Sequence, residues 1–335
     1  MSIISNISIG LPEGLLTNKM ISESRPNWNV NKASIRTGVE QRCISNDNET
    51  ALDLAIKAAD KIFDSTLSPE DIDGIIFCTQ TSDYIMPGNA SIFHGKYNFR
   101  ENIMAFDINL ACSGFSYSLG IATSLLQGNK MNNILLLCGD TYSKLISPGD
   151  RSTKLLFGDG VSCAHITKNE NGFRVLDTEY YSNGKNYERF IVKNGGSKNP
   201  IRKHFEYKSD KEQIVSNDPD FINMDGIGII SFFNSRVPKA INSIIENNNL
   251  DISQIKLIVP HQASQLAIDG IMKQLRLDES KIYFDINDTG NLTSASIPLA
   301  LSQLLHNDKI IKDDYIVCCG FGVGLSWSTT LLKYE

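Results

Sequence analysis

Phe106-Asp107-Ile108-Asn109 returns 178 positions later as Phe284-Asp285-Ile286-Asn287. A four-residue echo alone is weak, but two more flank it in the same order. Asp71-Ile72 with Ile75-Ile76-Phe77-Cys78 is answered by Asp251-Ile252 with Ile255-Lys256-Leu257-Ile258. Ile134-Leu135-Leu136-Leu137-Cys138-Gly139 is answered by Tyr315-Ile316-Val317-Cys318-Cys319-Gly320. Three matches at nearly one spacing mark an internal duplication. The chain therefore reads as two related halves, residues 1–170 and 171–335.

Each half alternates short apolar runs with longer stretches of helical period, the pattern of an α/β fold. In the first half, helices are expected over 49–65, 88–97 and 112–127, the first starting near Asn48 or Glu49. Strands are expected over 75–80, 103–108 and 133–139. In the second half, the spacing predicts helices over 225–248, 263–275 and 294–306. Strands follow over 255–259, 282–286 and 314–319, and Leu325 to Leu332 alternates like an edge or hairpin strand. Strands without alternation are buried on both faces, so helices should cover both sides of each sheet. Residues 183–222 break the pattern with glycines and with Lys203, Lys208 and Lys211, and read as a long excursion between the halves. Loops of that length are functional lids or disordered segments.

The 335 residues carry a net charge of -6, which argues against a general nucleic-acid binder. The opening Met1-Ser2-Ile3-Ile4 lacks the basic start and long apolar run of a secretory signal. No run approaches the ~18 apolar residues of a membrane span. A cytoplasmic protein without membrane contact is the expectation. The seven cysteines are odd in number and show no CxxC pair. Neither a disulfide framework nor a zinc site is expected.

Cys112 lies where an apolar strand ends and a helix begins, between the small residues Ala111, Ser113 and Gly114. A helix N-terminus stabilises a thiolate, so this turn predicts a lowered pKa and a nucleophile. Taken alone, the residue reads equally as a buried structural thiol. His261, in Ile258-Val259-Pro260-His261-Gln262, follows a strand and precedes a helix. It occupies the same end of its sheet as Thr79–Thr81 in the first half, and could act as base, acid or oxyanion donor. A capped or core-satisfied histidine is the bland alternative. Asn291 follows the second Phe-Asp-Ile-Asn run, so the duplication sets its turn opposite the Cys112 turn; an ordinary turn asparagine is its alternative. Gly320-Phe321-Gly322-Val323-Gly324 could bring backbone N–H groups near a carbonyl oxygen. Phe157-Gly158-Asp159-Gly160 reads as a simple Asp-Gly hairpin.

Together these motifs resemble the ketoacyl-acyl-carrier-protein synthase III family of thiolase-like condensing enzymes. Arg36-Thr37-Gly38, Ala111-Cys112-Ser113-Gly114-Phe115, Phe157-Gly158-Asp159-Gly160, Pro260-His261-Gln262-Ala263, Gly290-Asn291 with Ser296-Ile297-Pro298, and Gly322 through Trp327 follow the family's order over nearly the whole chain. The resemblance implies a five-layer α/β/α/β/α sandwich and a homodimer. It implies that Cys112 carries an acyl group taken from acyl-CoA, with the backbone N–H groups of Cys112 and Val323 as oxyanion hole. His261 and Asn291 would face the thioester carbonyl of a malonyl extender on acyl carrier protein as CO₂ is lost. Neither a metal nor a redox cofactor is implied.

Substrate contacts are implied for Arg36, Arg151, Met86, Ser264 and Phe321. Lys32 stands where the family has a tryptophan against the CoA adenine, and Ser264 and Leu266 replace its usual asparagine and arginine. Met86 stands where a phenylalanine from the partner subunit bounds the acyl pocket, which suggests a primer other than acetyl. Two other functions fit the same motifs. One transfers the acyl group to an alcohol or amine. The other is a non-catalytic subunit that binds carrier protein, which the intact Cys112, His261 and Asn291 disfavour.

Overall fold

The computed structural model describes residues 2–64, 67–128, 130–200 and 218–335. The first half builds one sheet from β1 (Ile3–Gly10), β2 (Gly74–Cys78), β3 (Met104–Ile108), β4 (Asn133–Asp140) and β5 (Gly160–Thr167), in the order β3-β2-β4-β5-β1. The second half builds another from β6 (Phe173–Ser182), β7 (Ile255–Pro260), β8 (Tyr315–Gly322) and β9 (Ser326–Tyr334), in the order β7-β8-β9-β6. β2 is parallel to both β3 and β4, as β7 is parallel to β8. The remaining ladders in each half are antiparallel. A brief pairing of Ile3 with Arg174 and Ile4 with Phe173 joins the two sheets.

The expected strand over 282–286 survives only as a parallel bridge from Ile282 to Ile258. Gln262 accounts for the loss. Its side chain accepts from Asp285 N at 2.7 Å and donates to Tyr283 O at 3.1 Å, taking backbone groups a ladder would have used. For the final strand the hairpin alternative holds and the edge alternative does not. β9 forms a hairpin with β8 but lies inside the sheet, paired with β6 on its other side.

The helices that cover the sheets are α1 (Ala51–Phe63), α2 (Asn89–His94), α3 (Gly114–Gly128), α4 (Gly226–Asn247), α5 (Gln265–Leu275) and α6 (Ser296–His306). Thr50, rather than Asn48 or Glu49, caps α1 in a reciprocal capping box with Asp53. α3 and α6 lie between the sheets: Phe115, Leu119, Ile297 and Leu301 share one core with Ile76, Cys78, Leu136, Val259, Ile316 and Cys318. Ile75, Phe77, Leu135 and Leu137 face the other way, onto α1 and α2. Ile258, Val317 and Cys319 likewise turn outward onto α4 and α5. The order is therefore helices, sheet, helices, sheet, helices. Strands covered on both faces must be apolar throughout, which explains their unbroken runs. Each fully buried Leu or Ile contributes about 1.5–3 kcal/mol relative to exposure.

Of the 183–222 excursion, the described part holds a turn of 3₁₀ helix at Gly184–Arg189 and the strand Phe190–Ile191, which pairs with Asn223–Met224 just beyond it. Lys203, Lys208 and Lys211 lie outside the described residues.

Candidate active site

Cys112 sits on the turn between β3 and α3, 4% exposed. Glycines let the end of β8 press against it. A Cβ on Gly322 would stand 2.8 Å from the Cys112 Cβ and 3.1 Å from its sulfur, and one on Gly320 would stand 2.8 Å from Cys112 O. Ser113 and Ser326 join this contact through their hydroxyls at 2.7 Å. Val323, the next residue, packs against the same cluster.

The expected lowering of the thiol pKa is not found. Burial pushes Cys112 up, and the Asp140 carboxylate pushes the same way; its own backbone N–H only partly opposes them. The position ahead of α3 was legible in the sequence, but the enclosure that outweighs it was not.

His261 follows β7 and is 2% exposed. Its backbone N–H donates to Cys319 O at 2.7 Å, which ties it to β8. The ring lies edge-on to Phe321, with centroids 5.5 Å apart, and Nδ1 meets Ser296 Oγ at 2.7 Å. Burial lowers its pKa from 6.5 to about 3, so the imidazole is neutral. Asn291, 3% exposed, lies in the turn that follows residues 284–287. Its Nδ2 is 3.3 Å from His261 Nε2 and donates to Ala263 O at 3.3 Å. Its Oδ1 accepts from Thr293 N at 2.9 Å.

Cys112, His261 and Asn291 line one cleft, with Ser264, Phe321 and Gly322. Phe157, Phe190, Ile229, Ile230 and Phe233 make its walls apolar. Phe190 belongs to the excursion, so the described start of that segment does reach the site. These wall residues were missed in the sequence, where nothing distinguishes them from other core apolar positions.

Phe157-Gly158-Asp159-Gly160 is no simple hairpin. Asp159 is buried and accepts from Ser45 N at 2.8 Å, Ser143 N at 2.9 Å and Ser143 Oγ at 2.5 Å. Gly158 N donates to Asn291 O at 3.1 Å, and Asn291 N donates to Leu156 O at 2.9 Å. The motif holds the Asn291 turn in place.

Residues 106–184 match the family model described as 3-oxoacyl-[acyl-carrier-protein] synthase III, and residues 245–334 match the model of its C-terminal part. A beta-ketoacyl-[acyl-carrier-protein] synthase III from Clostridium tetani is 35% identical over 94% of this chain and 92% of its own. One from Clostridioides difficile is 36% identical over 90% of this chain and 89% of its own. The chain belongs to the 3-oxoacyl-[acyl-carrier-protein] synthase III family. A crystal structure of a 3-oxoacyl-(acyl-carrier-protein) synthase III superposes with a TM-score of 0.92 at 30% identity, covering 99% of both chains. That of the Aquifex aeolicus synthase III superposes at 0.86 with 27% identity, covering 100% of both. These matches make the chain an acyltransferase with the thiolase-like fold.

Three of the residues expected at the substrate stand outside the synthase III cleft. Arg36, on the helix Val30–Thr37, and Arg151, which opens Arg151–Lys154, are exposed and do not line it. Met86 is 80% exposed beside exposed Tyr84 and Ile85. Ser264 and Phe321 do line the cleft, and Ser264 also caps α5.

Proposed function

We infer that this synthase III transfers an acyl group from an acyl thioester to Cys112 and condenses it with a malonyl group on acyl carrier protein. CO₂ is lost and a 3-oxoacyl thioester results. The observation that carries this reading is the meeting of Cys112 from one half with His261 and Asn291 from the other on one apolar-walled cleft. The sulfur gives up its proton as it attacks the thioester carbon, the bond to the carrier sulfur breaks, and the leaving thiolate takes up one proton in exchange. Backbone N–H groups of Cys112 and Val323 face the oxyanion. Decarboxylation of the malonyl group leaves an enolate whose oxygen lies toward His261 and Asn291, and its carbon attacks the acyl-sulfur ester to regenerate Cys112.

Arg36 and Arg151, at the protein surface, suit the phosphates of CoA. The exposed Tyr84, Ile85 and Met86 suit burial against a second copy, which would bring Met86 to the partner's acyl pocket. The reaction as written uses thioester substrates and calls for no metal or redox cofactor. Among the described residues, no helix is long and apolar enough to cross a membrane; a cytoplasmic location fits carrier-bound substrates.

Intact-protein mass spectrometry after incubation with mixed acyl-CoAs should show one acyl adduct, absent from Cys112→Ala. Adding malonyl-carrier protein should then discharge the adduct with release of CO₂. An adduct that survives in Cys112→Ala, or one that malonyl-carrier protein leaves in place, overturns the reading.

A further inference from the structure

Asp140 is a carboxylate sealed between the two halves, 1% exposed, at the end of β4. Its Oδ1 accepts from Gln80 N at 2.6 Å, Thr79 Oγ1 at 2.9 Å and Thr81 Oγ1 at 3.2 Å, all from the end of β2. Its Oδ2 accepts from Thr293 Oγ1 at 2.6 Å, in the other half of the duplication. Burial raises the Asp140 pKa above the usual carboxylate value, and these four donors offset that only in part.

Thr293 is 0% exposed and sits at φ +52°, a left-handed conformation that a β-branched residue adopts only when its surroundings impose it. Its carbonyl accepts from Ser296 Oγ at 2.9 Å, and two further bonds tie it to the site. Its hydroxyl is taken by Asp140, and its N–H donates to Asn291 Oδ1 at 2.9 Å. The second bond, with the longer one from Nδ2 to Ala263 O, sets which way the Asn291 amide points. With Oδ1 committed to Thr293, Nδ2 is left to face His261 and the cleft. A reversed amide would set two N–H groups against each other.

We propose that Asp140, acting through Thr293, is a positioning residue that fixes the Asn291 amide as a donor into the cleft and so governs condensation more than acylation. Neither residue lines the cleft. Asp140 belongs to the half that carries Cys112, and Asn291 to the half that carries His261. The linkage thus sets one half of the site in register with the other through a single buried acceptor. The inference rests on the condensation reading above, and the parent protein run alongside tests that reading separately. If the parent forms its adduct and releases CO₂, the reading stands whatever the variants do.

The test compares Thr293→Val, which removes the hydroxyl at constant shape, with Thr293→Ser, which keeps it. Asp140→Asn removes the charge at constant shape and serves alone if Thr293→Val does not fold. Acyl-adduct formation and CO₂ release are measured as separate rates. In Thr293→Val, CO₂ release should fall about tenfold or more while acylation stays within about threefold of the parent. Thr293→Ser should restore CO₂ release to within about threefold, and Asp140→Asn should follow Thr293→Val in direction. The proposal is overturned if Thr293→Val, or Asp140→Asn where that variant stands alone, leaves CO₂ release within about threefold of the parent, or if both half-reactions fall together.

Discussion

The two Phe-Asp-Ile-Asn runs began as copies and now do different work. In the first, β3 is a regular strand, and Asp107 caps α2 by accepting from Asn89 N at 2.6 Å and Ala90 N at 2.7 Å. In the second, the strand has dissolved, Asp285 is exposed, and Gln262 holds the backbone instead. The copy that stays a strand leads to Cys112, which packs against the end of β8. The loosened copy leads to Asn291, whose amide needs a set orientation more than a close approach. Duplication supplied two equivalent strand ends, one followed by Cys112 and the other by Asn291.

Separate roles for the two turns should break in separate ways. The largest expected effect is at Asn291. Replacing it with alanine should lower CO₂ release about 10²–10³-fold, the cost of one lost oxyanion-type donor, while acyl-adduct formation stays within a few-fold. Equal losses in both rates would erase the division of labour.

On the Cys112 side, Gly322→Ala should act on acylation first, because the added methyl would stand 2.8 Å from the Cys112 Cβ. Overpacking of this kind costs about 1–3 kcal/mol, read as a lower denaturation midpoint, and adduct formation should slow about tenfold. Normal acylation would mean that β8 and the Cys112 turn can part without harm.

A smaller effect sharpens the comparison through pH. His261 is neutral in the fold, its pKa lowered from 6.5 to about 3. Below 6.5 the unfolded chain binds a proton that the folded chain refuses, so this contribution is intact above that value and is lost as pH falls toward 3. Cooling of the thermal midpoint between about pH 7 and pH 5 should be steeper in the parent than in His261→Gln. Identical slopes would show that the ring accepts a proton in place.

The layered α/β fold was legible because its cause is local. A strand covered by helices on both faces must be apolar along its length, and the duplication displayed that pattern twice. The convergence of Cys112, His261 and Asn291 was legible for a related reason, since strand-end turns carry recognisable residues at repeating positions. The strand expected at 282–286 failed because a distant side chain, Gln262, competes for its hydrogen bonds.

The local residue pattern set the layer order and the strand-end turns that carry Cys112, His261 and Asn291 to one cleft. Tertiary structure alone decided their state. Whether Cys112 rests as thiol or thiolate depends on how completely the halves exclude water, and which way Asn291 points depends on Thr293 and on Asp140 beyond it. Desolvation and hydrogen-bond direction are properties of groups brought together from far apart in the chain, so no local pattern of residues encodes them.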